Sequence, residues 1–144
     1  MMNFINQYNE FCLNYLRCIK KIATSCALTQ SQVLCIKSIP YDGILQNHLA
    51  KNLSLDISTL SRNLDKLKSL KIIHKEMSIS DKRSSIITLT TKGKKIYNQI
   101  INMINNDINK ILSNVDIPDL EHLNEILNKI NWEFELSKNN ENYQ

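Results

Sequence analysis

Residues 46–90 read QNHLAKNLSLDISTLSRNLDKLKSLKIIHKEMSISDKRSSIITLT, and this stretch decides the fold. Leu45, Leu49, Ala50 and Leu53 recur at helical spacing and give a two-turn helix over 45–53 with one buried face. Ser54-Leu55-Asp56 forms a compact turn, and Asp56 suits the N-cap of a second helix. Ile57, Leu60, Leu64 and Leu67 make the apolar stripe of that helix. At about 100° per residue, Ser58, Arg62, Lys66 and Ser69 fall on the opposite face, with Thr59 and Asp65 beside them. The period then changes. Residues 72–79 and 85–90 are rich in β-branched side chains and flank the polar tip SDKRS, which predicts an antiparallel hairpin. Helix, turn, helix and basic ribbon in this order predict a winged helix-turn-helix in a mainly α chain with a small β wing.

Outward from this centre, Phe4, Tyr8, Phe11 or Cys12, Tyr15, Ile19 and Ile22 predict a first helix over 4–22 whose partly aromatic stripe needs a surface to pack on. Thr29 and Gln32 form a capping-box pattern opening a helix over 29–39, which Pro40-Tyr41-Asp42-Gly43 stops. Thr90 or Thr91 caps a long helix from 92 to about 112. Residues 113–118 break the chain, and a last helix covers about 119–136 before the polar tail SKNNENYQ, expected to fray. The helix over 45–53 has no Ser, Thr or Asp at its start and is expected to be loosely capped.

Charge follows the same division. The 144-residue chain carries +4 overall, yet residues 46–95 hold eleven Lys and Arg against Asp56, Asp65, Glu76 and Asp81, leaving that segment +7 and the rest −3. A basic centre between mildly acidic ends fits a module for polyanions; a lysine-rich solvated face is the bland alternative. A helix-turn-helix needs small, polar side chains at the start of its second helix, where bulk would hold it off base edges. Ser58, Thr59 and Ser61 meet that need. Arg62 can fork onto guanine O6 and N7, and Lys66, one turn on, suits phosphate. Lys82 and Arg83 stand at the hairpin tip, where a guanidinium can enter a narrow minor groove.

The pieces LTQSQVLCI (28–36), LAKNLSLDISTLSRNLDKLKSLKII (49–73) and SDKRSSIITLTTKG (80–93) resemble the MarR family of multiple-antibiotic-resistance regulators. Its pattern runs Leu-Thr-x-x-Gln, Leu-Ala with a Ser-Thr-x-Ser-Arg recognition helix, Asp-x-Arg, and Leu-Thr-x-x-Gly. The resemblance implies a homodimeric, cytoplasmic transcription factor, usually a repressor, on a pseudo-palindromic duplex operator. It further implies that a small molecule or thiol oxidation relieves binding. On this view 1–144 is one domain: 1–27 and 92–137 serve dimerisation, 28–91 form the winged helix-turn-helix, and 138–144 are the tail. Two departures stand out. Lys71 occupies the family's usual Gly after the recognition helix, so a locally different helix end is expected. Leu45 replaces the usual capping residue. A two-fold dimer would set its recognition helices about 34–36 Å apart, one turn of duplex.

Cys12, Cys18, Cys26 and Cys35 all lie in the first quarter, with no C-x-x-C pair and no His at zinc-finger spacing, so no metal site is expected. Cys35 sits among apolar neighbours as a core residue, and Cys26 is read as exposed. Cys18 has Arg17, Lys20 and Lys21 nearby, which favour thiolate. Cys12, Cys18 and Cys26 therefore stand as candidate redox sensors beside the plainer reading as filler. No apolar run approaches membrane-spanning length, and MMNFINQYNEF has no secretory pattern. With only Gly43 and Gly93 there is no phosphate-cradling loop, and neither enzyme nor cofactor is expected. The competing function is a winged helix that grips another protein without binding DNA.

Overall fold

The computed structural model describes residues 2–78 and 84–141. The chain divides into two compact units, Met1–Asn105 and Asn106–Gln144. In order, the elements are α1 (Met2–Ser25), α2 (Gln30–Lys37), β1 (Ile44–Leu45), α3 (Gln46–Leu53), α4 (Ile57–Ser69), β2 (Ile73–Met77), β3 (Ser85–Leu89), α5 (Thr91–Leu112) and α6 (Ile117–Glu141). The architecture is mainly helical with one antiparallel sheet in the order β1-β3-β2.

The core of the first unit is built from the residues that the periodicities select. Ile19, Ile22 and Ala23 of α1 meet Val33, Cys35 and Ile36 of α2, Leu49 and Ala50 of α3, and Leu60, Leu64 and Leu67 of α4. Ile39, Ile72, Ile73, Ile87, Leu89 and Ile100 complete it. Local signals set the starts of the helices. The Gln32 amide donates to Thr29 Oγ1 at 3.2 Å and the Thr29 amide donates to Gln32 Oε1 at 3.0 Å, so the capping box closes as expected. Thr90, not Thr91, caps α5: the Gly93 amide donates to its Oγ1 at 2.9 Å. A Cβ at position 93 would run into the Ile72 carbonyl oxygen, which explains why the Leu-Thr-x-x-Gly sequence ends in Gly.

Several expectations need correction. The first helix is longer than 4–22, and only its C-terminal half is covered. Phe4, Tyr8 and Phe11 are exposed, because within the first unit nothing lies over that end. Residues 44–45 form a third strand, β1, that the hairpin pattern did not announce: Ile44 pairs with Ile87 and Leu45 with Ile86. Leu45 is thus extended and α3 begins at Gln46; as expected, no side chain caps it. Ile57 leaves the apolar stripe and is 48% exposed. Lys71 adopts the left-handed conformation, φ 60°, that Gly would take, so this helix end keeps its usual form. The Ile72 amide donates to the Leu67 carbonyl at 3.0 Å and the Lys71 amide to the Lys68 carbonyl at 2.9 Å, a Schellman closure that holds Lys71 there.

In the second unit, α6 starts at Ile117 rather than 119. Pro118 lies in its first turn, where a missing N–H removes no helical hydrogen bond. The helix runs to Glu141, into the stretch expected to fray. Leu123, Trp132 and Phe134 are exposed along it. No helix among the described residues is long and apolar enough to cross a membrane.

Candidate nucleic-acid interface

The turn between α3 and α4 is tight for a backbone reason. Ser54 is left-handed at φ 52°, and the Leu55 amide returns to the Ala50 carbonyl at 3.0 Å. Asp56 then caps α4: its carboxylate accepts from the Thr59 amide at 2.8 Å, from the Thr59 hydroxyl at 2.7 Å and from the Ser58 hydroxyl. These three donors hold the Asp56 carboxyl well below the usual carboxylate range, with the Ser58 hydroxyl contributing most. Leu60, Leu64 and Leu67, all fully buried, fix the rotation of α4 about its axis. Asn63 locks it sideways by donating to Ser31 Oγ on α2 at 2.8 Å.

That anchoring turns the opposite face outward. Ser58, Arg62, Lys66 and Ser69 are exposed; Thr59 and Ser61 are half-buried. Arg62 and Lys66 make no side-chain hydrogen bond or ion pair among the described residues, so both cations are available to a ligand. The structure therefore brings Ser58, Thr59, Ser61, Arg62 and Lys66 onto one helix. It also commits the Ser58 and Thr59 hydroxyl hydrogens to Asp56, which the spacing did not reveal. The signal was present in the residue types, since a Ser and a Thr two and three positions after an N-cap Asp both reach its oxygens. Lys82 and Arg83 lie outside the described residues.

The wing is tied to both helices around it. β2 and β3 pair from Ile73 with Leu89 to Met77 with Ser85, and the Ser78 amide donates to the Ser84 carbonyl at 2.9 Å. Thr90 closes the base: its amide donates to the Ile72 carbonyl at 3.0 Å and its hydroxyl to the Lys71 carbonyl at 2.7 Å. Lys92 Nζ donates to the Leu70 carbonyl at 2.8 Å, satisfying the C-terminus of α4 with a cation. A shallow groove of about 370 Å³ beside this knot is lined by Lys68, Lys71, His74, Lys75 and Glu76 among others, so its lysines outweigh its one acid and positive charge extends beyond Lys66 along this end of α4.

The four thiols are free. Cys35 is fully buried, and burial pushes it up to about 11. Cys26 is half-buried rather than exposed, and burial raises its thiol too, which lowers its thiolate fraction at neutral pH. Cys12 and Cys18 are half-buried. Tyr8 is raised by its hydrogen bond with Cys12, so these two side chains meet on α1. Among the described residues no group of three His, Cys, Asp or Glu is placed to hold a metal ion.

The architecture matches solved regulators over nearly its whole length. A MarR protein from Peptoclostridium difficile superposes with a TM-score of 0.82 at 20% identity, over 94% of this chain and 89% of that one. The chain has the MarR fold. Wild-type MarR from E. coli in its apo form gives 0.74 at 24% identity, over 90% and 95% of the two chains. The transcriptional regulator BldR from Sulfolobus solfataricus gives 0.73 at 20% identity, over 89% and 94%. No family model matches the sequence. The likeness shown is one of backbone architecture.

Proposed function

We propose that the protein is a MarR-type transcriptional regulator that binds duplex DNA in a sequence-specific way through α4. One observation carries this reading: an amphipathic helix pinned by Leu60, Leu64, Leu67 and Asn63 leaves Arg62 and Lys66 exposed on its outer face and unpaired among the described residues. Arg62 reads guanine from the major groove, Lys66 holds phosphate, and Lys82 and Arg83, which fall between β2 and β3 in the sequence, grip the flanking backbone or minor groove. The regulator acts as a homodimer on a pseudo-palindromic operator, as a repressor. Residues 28–91 are its reading head, and 1–27 with 92–137 join the two copies. A small molecule or oxidant releases it. Among the thiols, the half-buried Cys12, Cys18 and Cys26 suit an oxidant better than the fully enclosed Cys35.

The deciding experiment is selection of bound fragments from a random duplex pool by the full chain, followed by titration at several salt concentrations. Affinity for the selected site falls steeply with salt, as counterion release requires. Arg62→Ala costs about 1–3 kcal/mol of binding and relaxes one position of the site. A chain that retains no duplex at low salt is instead the protein-binding winged helix, and the DNA reading fails.

A further inference from the structure

Ser58 and Arg62 lie four positions apart on α4, about 40° from each other round its axis, and both are exposed. Leu60, Leu64 and Leu67 are fully buried on the opposite side. Ser58 therefore faces the same way as Arg62, one turn nearer the start of the helix. Side chains on a helix tilt toward its N-terminus, the end whose residues meet base edges in a helix-turn-helix. An ordinary serine there reads either kind of edge, because its hydroxyl has one hydrogen to give and lone pairs that accept.

Ser58 has lost that choice. Its hydroxyl is bonded to the Asp56 carboxylate at the N-cap. The same carboxylate accepts from the Thr59 amide and hydroxyl, and these donors together keep Asp56 ionised at neutral pH. An ionised carboxylate can only accept, so the hydrogen in the Ser58–Asp56 bond is the serine's own. What Ser58 presents outward is lone pairs alone. In the major groove, base edges offer hydrogens only from adenine N6 and cytosine N4, whereas guanine O6 and N7 and thymine O4 accept. We infer that Ser58, fixed as an acceptor by Asp56, is a specificity-determining residue that takes a hydrogen bond from the amino group of an adenine or cytosine beside the guanine read by Arg62. This inference rests on the DNA-binding reading above and deepens it, since the N-cap decides which edges the serine reads.

The test uses the full chain and the site it selects from random duplexes. Each adenine is replaced in turn by 2-aminopurine, which pairs with thymine but has no amino group in the major groove. Each cytosine is replaced by N4-methylcytosine, whose methyl takes the place of the free amino hydrogen. For the wild-type chain, one such replacement per half-site, beside the Arg62-dependent guanine, weakens binding about fivefold, the loss of one hydrogen bond. In Ser58→Ala the same replacement has no further effect, and fresh selection loses its preference for adenine or cytosine there while the guanine persists. In Asp56→Ala the serine regains a hydrogen to donate, and fresh selection at that position admits thymine or guanine as well. Circular dichroism verifies the fold of both variants; where Asp56→Ala does not fold, the base replacements and Ser58→Ala decide alone. A wild-type chain indifferent to both replacements beside that guanine overturns the inference. So does a Ser58→Ala chain that keeps the fivefold loss, or a folded Asp56→Ala chain with an unchanged base preference. Failure of the wild-type chain to bind any duplex at low salt is a separate result, which overturns the DNA reading and this contact with it.

Discussion

At the scale of single residues, Asp56 and Lys71 mark the two ends of α4 and behave oppositely. Asp56 is a charged cap whose three donors favour the ionised form. Because its folded value lies below the ordinary 3.8, its contribution is fully present above that value and is lost as pH falls through the depressed one. Asp56→Asn keeps an acceptor but no charge. The gap in melting temperature between wild type and Asp56→Asn is therefore constant above about pH 5 and shrinks on acidification below the ordinary carboxylate value, as thermal melts across pH will record. Lys71 is a strained cap. A side chain in the left-handed region costs about 1 kcal/mol that Gly avoids, and the Schellman bonds hold it there regardless. Lys71→Gly raises unfolding stability by about 0.5–1 kcal/mol in denaturant titration, with no change of fold.

At the scale of elements, α4 is fixed by its apolar stripe and by one polar lock to α2. Asn63→Ala removes the bond to Ser31 and costs about 0.5–1.5 kcal/mol of stability; it also loosens the alignment of α4 and slightly weakens operator binding without touching a DNA-facing side chain. Equilibrium unfolding and titration against the selected site measure both. The helices and the main hairpin were legible in the sequence because their signals are local: Thr29 with Gln32, Asp56 with the stripe after it, and β-branched runs on either side of a polar tip. What was not legible depends on partners distant in the chain. β1 is two residues long and exists because Ile86 and Ile87 lie across from it. Ile57 keeps the period of a core residue, but it precedes the first full turn, so the core ends before reaching it. Lys71 was read from its intrinsic cost, while the amides of Lys71 and Ile72 that retain it become visible only when α4 and β2 are joined. The outward placement of Arg62 and Lys66 on α4 was legible in the sequence; the diversion of Ser58 and Thr59 to Asp56 was not.

At the scale of the whole molecule, uncovered apolar surface supports the proposed pairing of two copies. Phe11 on α1 is 64% exposed and Trp132 on α6 is 63% exposed, with Phe4 and Phe134 similarly bare on the same helices. Each such ring is worth about 1.5–3 kcal/mol when removed from water. Sedimentation at micromolar concentration is expected to give twice the 16.7 kDa chain mass. The double substitution Phe4→Asp with Phe11→Asp shifts the particle to single chains with its helical content intact, and a wild-type sample that sediments as single chains would contradict the pairing. The sheet carries a different consequence for the same solution. Its order leaves β1 at one rim and β2 at the other. The first rim is two residues long, and the second carries Lys75 and Glu76 at mid-strand. Short or charged rims are poor templates for strand-by-strand growth, so crowding many copies together favours joining through helical rings and leaves little foothold for fibrils.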